Sequence, residues 1–238
     1  MQDLSLPLMA QLDYRGLRVL CTAVLPEMAD PKDLIDVYGH AQELGDEEAA
    51  TAWDDQQENL NIKMQRLARA VNLKPHGLRV DDVAEEVATV SDVQTFIGKD
   101  RRHYIMSARR MLPPEPPTYP MPGDRWHLWR SIRPELLLSS TVAINPDCFT
   151  NFGGRSMRED NKTLRMHFNR LKKNIIPGFA VFLDMHADDD PAIETRLSVM
   201  MHRHGINLRF LGLVARAAKN KRVQRTVIAH TRPASCLC

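Results

Sequence analysis

The chain reads as an α+β protein, with an N-terminal lobe of antiparallel strands, a hairpin and a helix, and a C-terminal lobe that is mainly α-helical. Three observations predict this. Short β-compatible apolar runs fall within the first 112 residues, helical periodicity dominates the second half, and a proline-rich stretch separates the two. On this reading residues 1–238 form one domain, with a strand-containing lobe over 1–112, a stiff crossing over 113–123 and a helical lobe over 124–238.

Each element follows from local chemistry. Leu17 to Leu25 is apolar and bounded by Gly16 and Pro26, which predicts a strand. Residues 41–55 are polar and acidic and read as a connection. Leu60, Met64, Leu67 and Val71 recur at helical spacing, so they define one face of a helix. Lys74-Pro75-His76-Gly77 is expected to end it. Val93, Thr95 and Ile97 alternate with polar residues, Gly98-Lys99-Asp100 turns, and Tyr104, Met106 and Ala108 form one face of a returning strand. Six prolines between Pro113 and Pro122 exclude helix and ladder there.

In the second half, Leu164, Phe168, Leu171 and Ile175 lie on one helical stripe, with Pro177-Gly178 expected to break the helix. Asp190-Pro191 is a start signal for the next helix, which carries Leu197, Met200 and Met201 and ends at Gly205. Asn207 is expected to cap a last helix whose stripe is Leu208, Leu211, Val214 and Ala218.

Composition narrows the class. An apolar fraction of 43% and a charged fraction of 26% are ordinary for a globular protein. No run of about 18 apolar residues predicts an integral membrane segment. The first ten residues lack a basic region and contain Asp3 and Pro7, unlike a signal peptide. Cys21, Cys148, Cys236 and Cys238 show no metal-ligand spacing and no disulfide framework, which points to a reducing compartment. The net charge of +2 hides an asymmetry: eleven acids and one lysine between Glu27 and Glu58, eight bases and no acid from Met201 onward. That pattern either builds a basic face for nucleic acid or acidic partners, or dissolves into solvated surface.

Several separated motifs share one direction. They are Tyr14-Arg15-Gly16, Leu73-Lys74-Pro75-His76, Gly98-Lys99-Asp100-Arg101-Arg102-His103-Tyr104, Leu112-Pro113-Pro114-Glu115, Arg133-Pro134-Glu135-Leu136, Asn145-Pro146-Asp147-Cys148-Phe149, Ile176-Pro177-Gly178-Phe179-Ala180 and His204-Gly205-Ile206-Asn207-Leu208-Arg209-Phe210-Leu211-Gly212. In this order they resemble the Clu domain of the clustered-mitochondria family, over nearly the whole chain. The resemblance implies a cytoplasmic protein that associates with messenger RNAs for mitochondrial proteins, meets the translation machinery and other cytoplasmic proteins, and acts in mitochondrial distribution. It also implies a ubiquitin-like region before the domain and helical repeats after it. Neither is legible here, so the chain is expected to be a fragment, a short divergent member or an incomplete gene model. The family's hairpin turn reads Asp-Gly-Arg and its second strand carries a later Asp. Here the turn is Asp100-Arg101-Arg102, and Ser107 holds the later position.

That departure weakens an enzyme reading. His76 and the hairpin loosely suggest a kinase-like phosphotransferase, but Ser107 replaces a carboxylate on Mg²⁺ poorly and no Gly-rich loop precedes it. No catalytic residue, metal site or cofactor is therefore assigned. His202 and His204 beside Met200 and Met201 read as core and surface rather than a soft-metal site. Cys236 and Cys238 read as tail residues rather than a lipidation signal. The candidate RNA contacts are Arg209, Lys219, Lys221, Arg222 and Arg225. For Arg209 the competing reading is an internal salt bridge. For the other four it is a solvated helix C-terminus, where cations are favourable anyway. A protein-interaction module without RNA binding is the alternative function, with the degenerate phosphotransferase behind it.

Overall fold

The computed structural model describes residues 4–14, 17–23, 34–36, 47–77, 86–97, 100, 102–105, 108–118, 126–152, 157–186 and 193–230. The expected α+β architecture is present: short strands and hairpins precede a mostly helical C-terminal part. Met106, Ser107, Asp190, Pro191, Arg232, Cys236, Cys238 and most of the hairpin turn lie outside the described residues. No helix among those described is long and apolar enough to cross a membrane.

Strand β1 (Leu4–Ser5) precedes a hairpin of β2 (Met9–Tyr14) and β3 (Leu17–Thr22), in which Tyr14 faces Leu17 and Met9 faces Thr22. The run expected as a single strand is thus one arm of a hairpin. Strand β4 (Leu34–Asp36) follows. Helix α1 (Glu47–Ala70) starts earlier than expected, inside the acidic stretch read as a connection. Glu and Ala are strong helix formers, and acids near a helix N-terminus complement its dipole.

The helix ends at Asn72 rather than at Pro75 or Gly77. Asn72 adopts φ 60°, Leu73 N–H donates to Ala68 O at 2.8 Å, and Asn72 N–H donates to Arg69 O at 3.2 Å. This is a left-handed cap that asparagine tolerates better than most residues. Its side-chain amide then donates to Leu137 O at 2.8 Å and Ser140 O at 3.0 Å, closing the end of α2 (Pro134–Leu138) across the molecule.

Strands β5 (His76–Gly77) and β6 (Glu86–Val87) pair with each other. Strands β7 (Gln94–Ile97) and β8 (His103–Ile105) form the expected hairpin, with Phe96 opposite Tyr104. The four-stranded sheet runs β1-β8-β7-β4, with β1 parallel to β8. Ala108 lies in a 3-10 turn over Ala108–Arg110 and not in the returning strand. The proline stretch forms one isolated bridge, Pro114 to Ser131. The ladder tolerates Pro114 because its bonds use Glu115 N–H to Arg130 O and Ile132 N–H to Pro113 O, never a proline nitrogen.

Helix α3 (Met157–Arg170) runs on through a π turn at Leu171–Ile175 into α4 (Ile176–His186). Pro177-Gly178 therefore does not break the helix. Ile176 N–H reaches back five residues to Leu171 O, and this wider turn places Pro177 in the first turn of α4, where a missing N–H is tolerated. Leu164, Phe168 and Leu171 are buried, and Ile175 packs against the same core.

Helix α5 (Ile193–Arg203) ends as expected at Gly205, with φ 71°. Ile206 N–H donates to Met201 O and Gly205 N–H to His202 O, which is a Schellman cap. Asn207 has the extended backbone of a cap but makes no side-chain capping bond. In the next turn Leu208 is exposed and Phe210 is buried instead. Helices α6 (Leu211–Ala217) and α7 (Lys221–Ala229) complete the chain's described part.

Two apolar clusters hold these elements. The smaller joins Leu60, Met64, Val90, Val93, Ile105 and Met111. The larger runs from Ala68, Leu73 and Ala88 through α2 to α7, so the end of α1 belongs to the core of the helical part.

Phe168, only 5% exposed, meets Phe210 edge-on at 6.0 Å. Phe168→Ala should lower unfolding stability by about 3–5 kcal/mol; an unchanged thermal transition would refute its core role. Gly205→Ala should cost more than about 1 kcal/mol, because a left-handed backbone strains any Cβ. That Cβ would also stand 2.8 Å from the backbone nitrogen of Leu136. Equal denaturation midpoints for Gly205→Ala and the parent chain would contradict this.

Candidate functional site

The basic candidates gather where α6 passes into α7. Ala218 turns extended, and the Asp184 carboxylate on α4 takes the Lys219 N–H at 2.7 Å and the Asn220 N–H at 3.0 Å. Asn220 then caps α7, its Oδ1 accepting from Arg222 N–H at 2.8 Å. Val223 and Val227 are buried beneath the helix. Their burial fixes the opposite face outward, and Lys219, Lys221, Arg222 and Arg225 are all exposed. Among the described residues, Lys219, Lys221 and Arg225 enter no ion pair.

Lys221 and Arg222 lie in the first turn of α7, Lys219 stands just past the C-terminus of α6, and Arg225 lies in the middle of α7. The α7 dipole opposes a cation at Lys221 and Arg222 by about 0.3–1 kcal/mol, whereas the end of α6 favours one at Lys219.

Arg209 is used differently. Its Nε donates to Glu115 Oε1 at 2.8 Å and its Nη2 to Ser131 O at 2.8 Å. This is the internal salt bridge weighed as its competing role. Burial pushes the Glu115 carboxyl above its usual range, and the Arg209 charge opposes that push without cancelling it.

A second polar assembly lies at the centre of the molecule. Asp147 Oδ2 accepts from His76 Nε2 at 2.9 Å, from Ser91 N–H at 2.8 Å and from the Ser91 hydroxyl. Its Oδ1 accepts from Arg110 Nη2 at 2.5 Å. Arg110 Nε also donates to Asp92 Oδ1 at 2.9 Å. The His76 and Asp147 side chains are fully buried. Burial works to raise the Asp147 pKa, but the His76 and Ser91 hydrogen bonds and the Arg110 charge outweigh it, so the carboxyl is held below its ordinary value. Beside it, Lys74 Nζ meets Asp160 Oδ1 at 2.6 Å and Asn145 Nδ2 meets Asp160 Oδ2 at 2.9 Å. Burial drives the neighbouring Cys148 thiol far up, so it is no nucleophile.

This arrangement does not match acyl-transfer chemistry. Ser91 and His76 both bond Asp147, so the imidazole is not placed to take the serine's proton. His76 is a buried strut in strand β5. His204 points Nδ1 at Met200 O, 2.8 Å away, and its ring lies tilted beside Phe179, centroids 4.8 Å apart. No group of three or more His, Cys, Asp or Glu able to hold a metal occurs among the described residues.

Comparison with known proteins now bears on these motifs. The model of the family described as Clustered mitochondria matches residues 1–117. Curated proteins extend the likeness. The clustered mitochondria protein homolog of Meyerozyma guilliermondii is 24% identical over 87% of this chain, and that of Debaryomyces hansenii is 25% identical over 87%. The clustered mitochondria protein of Arabidopsis thaliana is 31% identical over 55%. The chain carries the Clu domain of the clustered-mitochondria family. It spans 20%, 19% and 9% of those three relatives respectively. A second model, Translation initiation factor eIF3 subunit 135, matches residues 191–234, which enclose all five basic candidates of the Clu-domain chain. No solved structure matches.

Within the Clu domain, sequence reasoning singled out His76 but missed Ser91, Arg110 and Asp147 as its partners. Asp147 stood inside a quoted motif, yet 71 residues separate it from His76, and no spacing rule joins them.

Asp147→Asn should destabilise the Clu domain by about 3–5 kcal/mol, because the buried Arg110 loses one of its two carboxylates and keeps Asp92 alone. The Asp147 pKa is depressed in the folded state, so its contribution is complete above the ordinary carboxylate pKa of about 4. It disappears as pH falls through the lower folded value. Urea titrations between neutral and acid pH should show this acid loss in the parent and a smaller one in the variant. Identical acid limbs would contradict the assignment.

Proposed function

We propose that this Clu domain is a non-catalytic module of the cytoplasm that associates with RNA, or scaffolds its handling, in mitochondrial distribution and biogenesis. Its RNA partners are messenger RNAs of mitochondrial proteins, and its protein partners include the translation machinery and other cytoplasmic proteins. The supporting observation is the exposed cluster of Lys219, Lys221, Arg222 and Arg225 where α6 passes into α7. The likeness of residues 191–234 to a translation initiation factor subunit adds to it. Arg209 belongs to this reading only as a positioning residue, because Glu115 and Ser131 occupy its donors. The domain is organised as a strand-containing lobe over 1–112, a crossing over 113–123 and a helical lobe over 124–238.

A protein-interaction module without RNA binding is the second reading, favoured by the exposed apolar residues Leu8, Leu12, Leu17 and Leu20 near the N-terminus. A phosphotransferase is disfavoured by His76, whose buried ring is engaged by Asp147. Saturable binding of ATP with Mg²⁺ would sink the non-catalytic reading.

Joint replacement of Lys219, Lys221, Arg222 and Arg225 by Ala should weaken binding to unrelated single-stranded RNAs about equally. Every phosphate that these side chains no longer neutralise should take roughly 0.7 off the log–log salt slope. The cluster carries no aromatic residue for base stacking, so little sequence preference is expected. Filter binding across a salt series measures both effects. Equal affinity and slope for parent and variant would leave the cluster as solvated surface.

A further inference from the structure

The hairpin of β2 and β3 has one face that is apolar from end to end. Leu8, Ala10, Leu12 and Tyr14 alternate onto the same side as Leu17, Val19 and Cys21 across the ladder. All seven are exposed, Leu8 by 81% and Leu17 by 68%. The alternate positions are mostly polar, holding Gln11, Asp13, Arg18 and Thr22 beside Met9 and Leu20. Among the described residues, neither strand contributes to either apolar core. No third strand pairs with them among the described residues. A two-stranded hairpin alone is marginal in water, and an apolar patch of this kind marks an interaction surface.

We propose that this face is a homodimer interface, with the same hairpin of a second copy packed against it about a two-fold axis that crosses the strands. Three features select a second copy. The face carries no charged residue, so nothing on it recruits an acidic or basic partner. Its relief is self-complementary. The rows along the hairpin are Tyr14 with Leu17, Leu12 with Val19, Ala10 with Cys21, and Leu8 with Ala23. A two-fold midway along the face sets the Leu12–Val19 ridge into the Ala10–Cys21 trough of the other copy, and the bulky Tyr14–Leu17 end over its Leu8–Ala23 end. Both pairings occur twice, as an isologous interface requires. The area also suffices: seven such side chains offer on the order of 600 Å² per copy, at the lower edge of specific interfaces. The interface stands independently of RNA binding.

Sedimentation equilibrium between about 1 and 100 µM should show a reversible dimer of the parent chain, the range where an interface this small associates. Val19→Asp, in the middle of the apolar face, should raise the dissociation constant at least tenfold. Leu20→Asp, at an alternate position, should leave it unchanged. Because the hairpin lies outside both cores, the main thermal transition should be preserved in both variants at a concentration where the parent is monomeric. As a check that does not depend on an introduced charge, Cys236→Ser and Cys238→Ser together leave Cys21 as the exposed described thiol. Face-to-face sheets lie about 10 Å apart, which puts the two Cys21 thiols within reach of a short bismaleimide. A cross-linked dimer would support the proposal. A monomer throughout the range, no cross-link, or equal weakening by Val19→Asp and Leu20→Asp would overturn it and leave the face to a different chain.

Discussion

Asp147 accepts hydrogen bonds from His76, Ser91 and Arg110, which lie in three separate segments ahead of it in the chain. A buried carboxylate is tolerable only when its lone pairs are filled and its charge is matched. Asp147 meets both conditions with groups that the fold must first bring together. The short strand that follows α1, the loop before β7 and the 3-10 turn after β8 must all be in place at once. A half-assembled site would hold a buried charge without its partner, so the arrangement works as an all-or-none latch between the strand-bearing segments and the loop leading into α3.

The same logic explains why the family motifs occur as a set. Several are one half of a contact whose other half is distant in sequence. Lys74 and His76 close on Asp160 and Asp147, joining the segment after the first long helix to α3 and to the Asn145–Phe149 loop. Glu115 of the proline stretch closes on Arg209. Gly205 needs its left-handed backbone to turn α5, and it lies so close to the backbone of Leu136 that no side chain fits. Arg133 and Glu135 form a two-bond fork at the start of α2, with Pro134 at its first position. An ordered set of motifs is a stronger signal than any member because the members constrain one another through space.

This also marks what the sequence could and could not disclose. Helices with one clean apolar stripe were legible, as Leu164, Phe168 and Leu171 are, because burial imposes a period of 3.6. Gly205 was legible as a cap because few other residues accept its φ. The continuation through Pro177 was not, since the compensating π turn arises from packing and leaves no residue signature. The early start of α1 was hidden because acidity resembles loop composition and helix N-terminus equally. The partner of Arg209 and those of His76 were beyond reach, because ion pairs across many residues follow from topology, and topology was not determined by local pattern. The basic cluster was visible as composition, but its place at the junction of α6 and α7 emerged only from the course of the two helices.

That placement separates two kinds of charged residue in one small protein. Arg110, Arg133 and Arg209 each meet a carboxylate, and removing such a partner would expose a desolvated ion. Lys219, Lys221 and Arg225 enter no ion pair among the described residues, and the α7 dipole opposes the cation at Lys221. Asp184 bonds the backbone N–H groups there and so holds the turn without pairing with these side chains. The fold therefore rests on the first group and merely tolerates the second. A penalty of a fraction of a kcal/mol for a cation in the first turn of α7 is small against total stability. In the proposed RNA complex, cations that packing places outward beside a turn held by Asp184 need little reordering to meet a polyanion. Their contribution in that complex is electrostatic attraction, which grows with the number of phosphates met and fades with salt.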